Sequence, residues 1–508
     1  MSALPDWLMP LLDAEQQRAT DAWAIEQRGI PGLELMERAG TGLAALVQAR
    51  APEGRVVVVC GKGNNGGDGL VVARLLRAQG RDAEVLLLAE PEEVHGDART
   101  NLERLAGPAP TPFTAAALDG AAVIVDAILG TGFSGSPRQP AAGAMEAING
   151  AGASGSLIIA CDVPSGVNAS TGEIAGPAVR ASATATFHAG KSGLWIAPGK
   201  AYAGHVEVID IGIPAGAPVE PYAGLIGAGV LQTIPRRGRE STKFAAGSVL
   251  VCGGSRGLTG APCMSCEAAM RAGAGYVTAL VPESLNIVFE LRLLEVMTVP
   301  LPDRDGALQP AGADTVRSRA GRSGALVLGP GVGRAQETVE LIRDLARTAE
   351  IPLVLDADGL NAHAGRLEAL AARPAGAVLT PHAGELGRLL ERESDEIERH
   401  RLCAVREAAA RARVVVVLKG DDTLVAEPGG SVAISRGGAS ALATAGTGDV
   451  LSGVVAAFLA KHMDPFLAAS AAVFVHTRAG QISARRIGIE GVIARDVIES
   501  LPEALQEG

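Results

Sequence analysis

The sequence is poor in cysteine and has neither a long apolar run nor a block of basic residues, and each shortage excludes a class of protein. Its 508 residues include six cysteines, which are too few and too scattered for the disulfide framework of a secreted protein. No stretch approaches the roughly 18 consecutive apolar residues that a membrane-spanning helix needs. The first residues also lack the basic and apolar segments of a secretory signal. We therefore expect a cytoplasmic protein that does not bind membranes.

Basic residues are outnumbered by acidic ones. The 45 lysines and arginines stand against 56 aspartates and glutamates, which gives a formal net charge of -11. Because no basic cluster could neutralise a row of phosphates, nucleic acid is not an expected partner. Hydrophobic residues make up 47% of the chain and charged residues 20%. This composition is sufficient for packed cores and excludes disorder as the main state.

Two of the cysteines, Cys263 and Cys266, form a C-x-x-C motif. No second pair and no nearby histidine completes a set of metal ligands, and the flanking residues have the pattern of a helix interior. We therefore expect a structural role for both thiols.

Apolar runs typical of buried strands alternate with amphipathic helical stretches along the whole chain. The predicted strands cover residues 56–60, 85–88, 123–127, 157–161, 249–252, 326–328, 353–355 and 414–418. Continuous apolar strands separated by helices indicate an α/β fold with parallel sheets covered on both faces. Prolines and glycines are densest over residues 211–238, where we place a domain boundary. The predicted domains are residues 1–225 and 226–508.

The first motif-bearing segment, VVVVCGKGNNGGDGLVVARLL, runs from a strand through a glycine-rich turn into a helix predicted to begin near Asp68. Such a turn directs backbone N–H groups and a helix N-terminus at an anion, so a phosphate is the natural ligand. The amides of Asn64 and Asn65 add donors and oxygen ligands where a plain tight turn, the alternative, would need only glycine.

Two further loops follow predicted strands, DAILGTGFSGSPR with Asp126 and CDVPSGVNASTG with Asp162 and Ser165. Taken singly, Asp126 could be a helix cap and Ser165 a turn residue. Because ligands bind at the carboxyl ends of the strands in open parallel sheets, the convergence of all three loops favours a binding site.

Together, GKGNNGGDG, DAILGTG and DVPSGV resemble the NAD(P)H-hydrate epimerase domain, which implies a Rossmann-like three-layer fold. The resemblance implies that Asp162 lies beside the nicotinamide ring and transfers protons during inversion at C6. It implies that potassium is held by Asn65, Asp126 and Ser165. The only basic candidate for a partner of Asp162 in the second loop is Arg138. The residues expected to bind the hydrated NADH or NADPH are Asn64, Asn65, Gly66, Gly67, Asp68, Gly130, Thr131, Gly132, Phe133, Ser134, Gly135, Ser136 and Asp162.

The most informative C-terminal segment is ALATAGTGDVLSGVVAAFLA, in which small residues open a long helix. Its free N–H groups form an anion hole for a phosphoryl group. Asp449 in that first turn is either a favourable helix-start residue or a general base aimed at a substrate hydroxyl. Lys419, delivered to a loop by the strand VVVVL, suits a nucleotide phosphate. His382 and Glu385 follow another strand, where a lone histidine is more often structural.

GGSRGLTGA, GPGVG, LDADGLN, TPHAGE, LKGDDT and ATAGTGD, in this order, resemble the ADP-dependent (S)-NAD(P)H-hydrate dehydratase, which has a ribokinase-like α/β fold. The resemblance implies ADP as co-substrate and magnesium organised with the help of Glu385. It implies that the hydrate contacts Ala261, Gly331, His382 and Asp449. The adenine nucleotide is expected to contact Lys419, Gly420, Asp421, Asp422, Thr423 and Gly448.

The two resemblances imply one function in two steps, epimerisation of the R and S hydrates and ADP-dependent removal of water from the S hydrate. Two alternatives stay open at this stage. The C-terminal half could be a conventional kinase for a small hydroxylated metabolite, and the N-terminal half could bind a nucleotide without turning it over. Because exposed sheet edges in such folds often pair, we also expect a homo-oligomer.

Overall fold

The chain forms two compact units in the computed structural model, which describes residues 4–239, 242–243 and 246–506. Residues 10–223 form the core of the N-terminal unit, and residues 224–508 with residues 5–9 form the C-terminal unit. The division after Ala223 lies close to the boundary that the proline-rich and glycine-rich stretch predicts.

The N-terminal unit contains a seven-stranded sheet in the order β4-β3-β2-β5-β6-β7-β9, with every neighbouring pair parallel. A separate short ladder pairs β1 with β8. The strands are β1 (Leu8–Leu12), β2 (Val56–Cys60), β3 (Ala83–Leu87), β4 (Thr111–Pro112), β5 (Val123–Ala127), β6 (Leu157–Cys161), β7 (Ala183–Phe187), β8 (Gly190–Lys191) and β9 (His205–Ile209).

Helices cover both faces of this sheet, so the predicted three layers are confirmed. Along β2, Val56 and Val58 join the core on one face, whereas Val57 and Val59 join the core on the other. A strand buried on both faces explains the unbroken valine run. The helices are α1 (Ala14–Glu26), α2 (Gly32–Arg50), α3 (Asn64–Ala78), α4 (Gly96–Glu103), α5 (Ala141–Ala153) and α6 (Lys200–Ala203).

Helix α3 begins at Asn64, so the prediction that it begins near Asp68 is wrong. Gly63 is the extended residue before the first turn, and Gly66 packs so closely that a Cβ there would lie 2.0 Å from the carbonyl oxygen of Gly61. The glycines therefore allow the helix to start inside the motif instead of after it.

The C-terminal unit is built on the strand order β13-β12-β11-β16-β17-β18-β19-β20-β21. Pairing is parallel as far as β19 and antiparallel for β19-β20 and β20-β21, which an all-parallel prediction misses. Only residues 419–423 join β19 to β20, too few for the crossover that parallel strands need.

The remaining strands are β10 (Ala223–Ile226), β11 (Ser248–Cys252), β12 (Tyr276–Pro282), β13 (Met297–Leu301), β14 (Asp303–Arg304), β15 (Ala307–Leu308), β16 (Ala325–Leu328), β17 (Leu353–Leu355), β18 (Ala377–Leu379), β19 (Val415–Leu418), β20 (Leu424–Ala426) and β21 (Val432–Ile434). The helices are α7 (Gly260–Arg271), α8 (Asn286–Arg292), α9 (Ala313–Ala320), α10 (Gln336–Thr348), α11 (Asp358–Asn361), α12 (Ala383–Leu390), α13 (Ser394–Arg399), α14 (Arg401–Ala412), α15 (Thr447–Leu459), α16 (Pro465–Ile487) and α17 (Ala494–Ala504). In the part of the chain that the structure describes, no helix is both long and apolar enough to cross a bilayer.

Cys263 and Cys266 lie in α7, as the helix-interior pattern predicts, and both are buried. Three other cysteines are buried in strands, whereas Cys403 on α14 is exposed. Burial raises the pKa of all five buried thiols.

Candidate active sites

The three predicted loops of the N-terminal unit meet because β2, β5 and β6 are neighbours in the sheet. They border a cavity of about 1170 Å³, large enough for a dinucleotide-sized ligand. The predicted residues that line it are Asn64, Asn65, Asp68, Gly130, Thr131, Gly132, Phe133, Ser134 and Asp162.

Four predicted binding residues do not belong to this lining, namely Gly66, Gly67, Gly135 and Ser136. A Cβ at Gly67 would lie 2.7 Å from the sulfur of Met36. Gly67, like Gly66, therefore allows α3 to pack closely against its neighbours. The Ser136 hydroxyl lies against Gly176. These residues shape the loops, and their direct contact with a ligand stays a prediction.

Asp162 stands at the end of β6 with a positive φ of 65°, a conformation that non-glycine residues adopt mainly at functional positions. Its Oδ1 lies 2.9 Å from Nζ of Lys191. Its Oδ2 accepts hydrogen bonds from the Thr131 hydroxyl at 2.5 Å and the Thr131 N–H at 3.2 Å. Burial alone would raise the pKa of Asp162, but Lys191 and Thr131 hold that pKa below its usual value.

Lys191 is the basic partner that the sequence prediction missed. Its side chain is only 1% exposed, and Nζ also donates to the Phe187 carbonyl at 2.6 Å. Arg138, the candidate from the second loop, lines the cavity but is exposed. The available signal was a lysine in the apolar HAGKSGLW segment of a chain with only six lysines.

Asp68 is buried near Asp162 and lines the same cavity. Burial raises the pKa of Asp68 well above its usual value, and the charges of Asp162 and Asp21 raise it further. The surroundings of the cavity wall therefore shift the pKa values of Asp68 and Asp162 in opposite directions.

Asp126 and Ser165 are brought together beneath the loops. Ser165 donates its hydroxyl to Oδ1 of Asp126 at 2.6 Å and its N–H to Oδ2 at 2.8 Å. Burial raises the pKa of Asp126 to about 6, and the Ser165 hydrogen bonds oppose that rise. The side chain of Asn65 lies against Gly130, and its buried Nδ2 lacks a hydrogen-bond partner among the described residues. Neither Asp126 nor Ser165 is thus a simple cap or turn residue.

In the C-terminal unit, Asp449 lies in the first turn of α15 after Gly446, whose φ of 89° is left-handed. Burial raises the pKa of Asp449 to about 7; the charges of Asp356 and Glu385 add to the rise and that of Lys419 opposes it. A carboxyl group with this pKa is suited to accept a proton near neutral pH.

Lys419 connects the carboxylates of this site. Its Nζ lies 3.1 Å from Oδ1 of Asp356 and 3.6 Å from Oε2 of Glu385. A Cβ at Gly448 would lie 3.3 Å from the same Nζ, so the ammonium group borders the N-terminus of α15. Although burial alone would lower the pKa of Lys419, the carboxylates raise it. The predicted phosphate site thus combines a cation with the first-turn N–H groups of a helix.

Beside this helix start lies a cavity of about 220 Å³. Lys419, Gly420, Asp421, Thr423 and Gly448 line it, together with apolar residues of α15 and α16.

Asp422 is not part of that lining, because its carboxylate faces the buried Arg401. Its oxygens lie 2.9 Å from Nε and 2.9 Å from Nη2 of that arginine. The side chain of Asp422 thus forms an ion pair that holds the loop, and its contact with the nucleotide stays a prediction.

His382 caps helix α12. Its Nδ1 accepts from the N–H of Gly384 at 3.0 Å, and its own N–H donates to Oε2 of Glu385 at 2.9 Å. Its side chain is 55% exposed, so Nε2 is accessible. Elsewhere in the unit, Ala261 and Gly331 are adjacent, since a Cβ at Gly331 would lie 3.4 Å from that of Ala261. Contact of these three residues with the hydrate stays a prediction.

Two family models match the chain in accordance with its two units. A model described as NAD(P)H-hydrate dehydratase matches residues 249–503, and one described as YjeF-related protein N-terminus matches residues 32–193. A structure of the ADP/ATP-dependent NAD(P)H-hydrate dehydratase from Bacillus subtilis, co-crystallised with ATP and Mg²⁺, is 29% identical, covers 54% of this chain and 94% of its own, and gives a TM-score of 0.47.

Similarity to curated relatives extends over nearly the full length. The bifunctional NAD(P)H-hydrate repair enzyme Nnr of Moorella thermoacetica is 38% identical over 98% of this chain and 97% of its own. The enzyme of the same name from Salinibacter ruber is 39% identical over 98% of this chain and 96% of its own. The chain belongs to the family of bifunctional NAD(P)H-hydrate repair enzymes.

Proposed function

We propose that the N-terminal unit interconverts the R and S hydrates of NADH and NADPH and that the C-terminal unit dehydrates the S hydrate with ADP. One observation carries this proposal. In each unit a carboxylate that contacts a lysine lies beside a cavity, at the edge of a parallel sheet where the loops leave the strands. Family membership over the full length supports the pairing of the two activities.

Inversion at C6 of the hydrated nicotinamide ring requires a base that removes a proton and a donor that returns one. Asp162 is suited to be the base because Lys191, at 2.9 Å, holds its carboxylate ionised. Thr131 fixes the second oxygen of that carboxylate, which orients the group toward the cavity.

A potassium ion fits the donor set beneath the loops. Asp126 and Ser165 supply oxygen atoms, and the buried Nδ2 of Asn65 has no hydrogen-bond partner within the described part of the chain. Rotating that amide would present its oxygen instead, and a hard cation would then satisfy it. Potassium would supply positive charge that keeps Asp126 ionised and draws the Asn65 and Ser165 loops together.

Dehydration in the C-terminal unit uses the layout of a phosphoryl-transfer site. Asp449 accepts the proton of the 6-hydroxyl as that oxygen attacks the β-phosphorus of ADP, and the bond to AMP breaks. The helix N–H groups and Lys419 stabilise the transferred phosphoryl group. Loss of phosphate with a proton from C5 then restores the 5,6 double bond. The products are NAD(P)H, AMP and phosphate.

Magnesium fits this site as an ion that keeps part of its water shell. Glu385 is 7% exposed and one of its oxygens already accepts from the His382 N–H, so this carboxylate is suited to hold the ion through water. When bound, magnesium would neutralise charge on the phosphates. Asp356, by contrast, is engaged with Lys419 and with the Ser452 hydroxyl.

The test is recovery of the reduced-nicotinamide absorbance when the full-length protein meets a mixture of R and S hydrates with ADP, magnesium and potassium. Complete recovery is the expected result. Recovery that stops at the S fraction would contradict the epimerase, and no recovery would contradict both activities and favour a small-metabolite kinase. Asp162→Asn should convert complete recovery into recovery of the S fraction alone.

A further inference from the structure

Helix α1 contributes two side chains to the wall of the N-terminal cavity that the base and the cation site do not use. Gln17 and Asp21 both line that cavity, and Nε2 of Gln17 donates to Oδ1 of Asp21 at 2.9 Å. Both residues precede residue 32, where the matched family model begins.

Gln17 is only 5% exposed, and its Oε1 is buried without a hydrogen-bond partner among the described residues. A buried acceptor left unpaired is costly, so such an atom at a cavity wall indicates a ligand that donates to it. A hydrated nicotinamide ring carries two such donors, the carboxamide N–H and the 6-hydroxyl.

Asp21 shares this wall with several charged groups. Burial raises its pKa, the charge of Asp162 adds to the rise, and the Gln17 hydrogen bond and Lys191 oppose it. Among the described residues, Lys191 pairs with Asp162 and donates to the Phe187 carbonyl, and it acts on Asp21 through its charge. Apart from the surface pair Lys62 and Glu93, the charged groups of the cavity wall are Arg18, Asp68, Asp97, Arg138, Asp162 and Lys191.

We propose that Asp21 is the proton donor of the epimerisation and that Gln17 orients it and binds the ring. This inference rests on the proposed function of the N-terminal unit. Asp162 removes the proton of the 6-hydroxyl, the C6–N1 bond breaks with its electron pair going to N1, and C6 becomes an aldehyde. Asp21 gives its proton to N1. Rotation about C5–C6 and the reverse steps close the ring on the opposite face, and both protons return to their carriers.

The geometry explains why two carboxyl groups are needed and why they differ. A base must be ionised and an acid protonated at the same pH, and paired groups whose surroundings push their pKa values apart meet that requirement. Lys191 and Thr131 hold down the pKa of Asp162. Burial and the charge of Asp162 raise the pKa of Asp21, although the Gln17 N–H donates to its carboxylate.

The decisive variant is Asp21→Asn in the full-length protein, assayed separately on the R and the S hydrate. We expect R conversion to fall by about 100-fold or more, as loss of a general acid predicts, while kcat on the S hydrate and KM for both stay within a factor of two. Dehydration of the S hydrate controls for the C-terminal unit, and thermal unfolding compared with the wild type controls for folding of the N-terminal unit. Glu26→Gln makes the same chemical change at an exposed position of α1 and should change neither rate.

Two further variants separate a proton donor from a structural role. Asp21→Glu should recover part of the R conversion and displace the alkaline limb of its pH profile, where the donor loses its proton. Gln17→Leu should raise KM for the R hydrate and lower kcat less than Asp21→Asn does. If Asp21→Asn converts R at more than half the wild-type rate, the inference is wrong even though the proposed function stands. If wild-type protein does not convert R at all, the proposed function itself fails.

Discussion

In each unit, one lysine interacts electrostatically with three carboxyl groups, and the two sites use that lysine in opposite ways. In the N-terminal unit the lysine is Lys191, and the carboxyl groups with which it interacts are those of Asp21, Asp68 and Asp162. In the C-terminal unit it is Lys419, and the carboxyl groups are those of Asp356, Glu385 and Asp449.

The difference lies in which carboxylate the lysine touches. Lys191 contacts the proposed base Asp162 directly, and the pKa of that base is lowered. Lys419 contacts Asp356 and Glu385 instead, and the proposed base Asp449 keeps a pKa of about 7. Direct contact with the lysine and the Thr131 hydrogen bonds thus lower the pKa of one base against the effect of burial, whereas burial dominates the raised pKa of the other.

The largest expected effect comes from removing the C-terminal base, which should silence one site and leave the other. Asp449→Asn should reduce kcat on the S hydrate by about 10² to 10⁴, the usual range for a general base. Interconversion of R and S, followed by chromatography without ADP, should be unchanged. A variant that retains a tenth of the wild-type dehydration would contradict the role of Asp449.

The next effect concerns the buried ion pair of the N-terminal site. Lys191→Met leaves Asp162 without its cation, so R conversion should be lost and the unit should lose about 3–5 kcal/mol of stability, as for other broken buried pairs. Thermal unfolding would measure the stability. Lys191→Met combined with Asp162→Asn should recover much of the stability but none of the activity. Equal Tm values for the single and double variants would show that the pair does not matter to folding.

A smaller effect is expected when the pKa of the C-terminal base is lowered, which should make it more like the N-terminal base. Because the pKa of Asp449 is about 7, kcat/KM for the S hydrate should rise with pH as this group loses its proton and level off above neutrality. Asp356→Asn removes a negative charge that raises this pKa, so the acid limb should move to lower pH. Asp395→Asn, an exposed change in the same unit, should not move it, and an unmoved limb in Asp356→Asn would contradict the electrostatic account.

The smallest expected effect is a dependence of the rate on potassium, which we expect for the N-terminal site alone. Replacing potassium by a large organic cation should slow R conversion several-fold, because Asp126 and the Asn65 amide lose the charge that joins them. Dehydration of the S hydrate should be indifferent to the change. Ser165→Ala should lower the sensitivity to potassium, and equal sensitivity of both activities would place the ion elsewhere.

The loops of both sites could be predicted from sequence because the rule behind them is local. A glycine-rich turn after an apolar strand lies at the carboxyl edge of a parallel sheet, whatever the rest of the chain does. Asp162 and Asp449 were found in this way. The helix-start signals also identified α15, whose first residues the spacing of small residues predicts.

Side-chain directions could not be predicted in the same way, because they depend on segments far apart in the chain. Lys191 reaches Asp162 only because β8 and the end of β6 come together in the fold. Asp421 and Asp422 are adjacent, yet one lines the cavity beside the start of α15 and the other pairs with Arg401. The contribution of α1 was missed for the same reason, since no glycine-rich motif marks Gln17 or Asp21.

The burial of five of the six thiols has a practical consequence. Alkylating reagents attack thiolates, and groups that are both buried and held as thiols do not react with them. Cys403, exposed on α14, therefore offers a single attachment point for a fluorophore or spin label in the natural sequence. A probe can be attached there without any cysteine being engineered away.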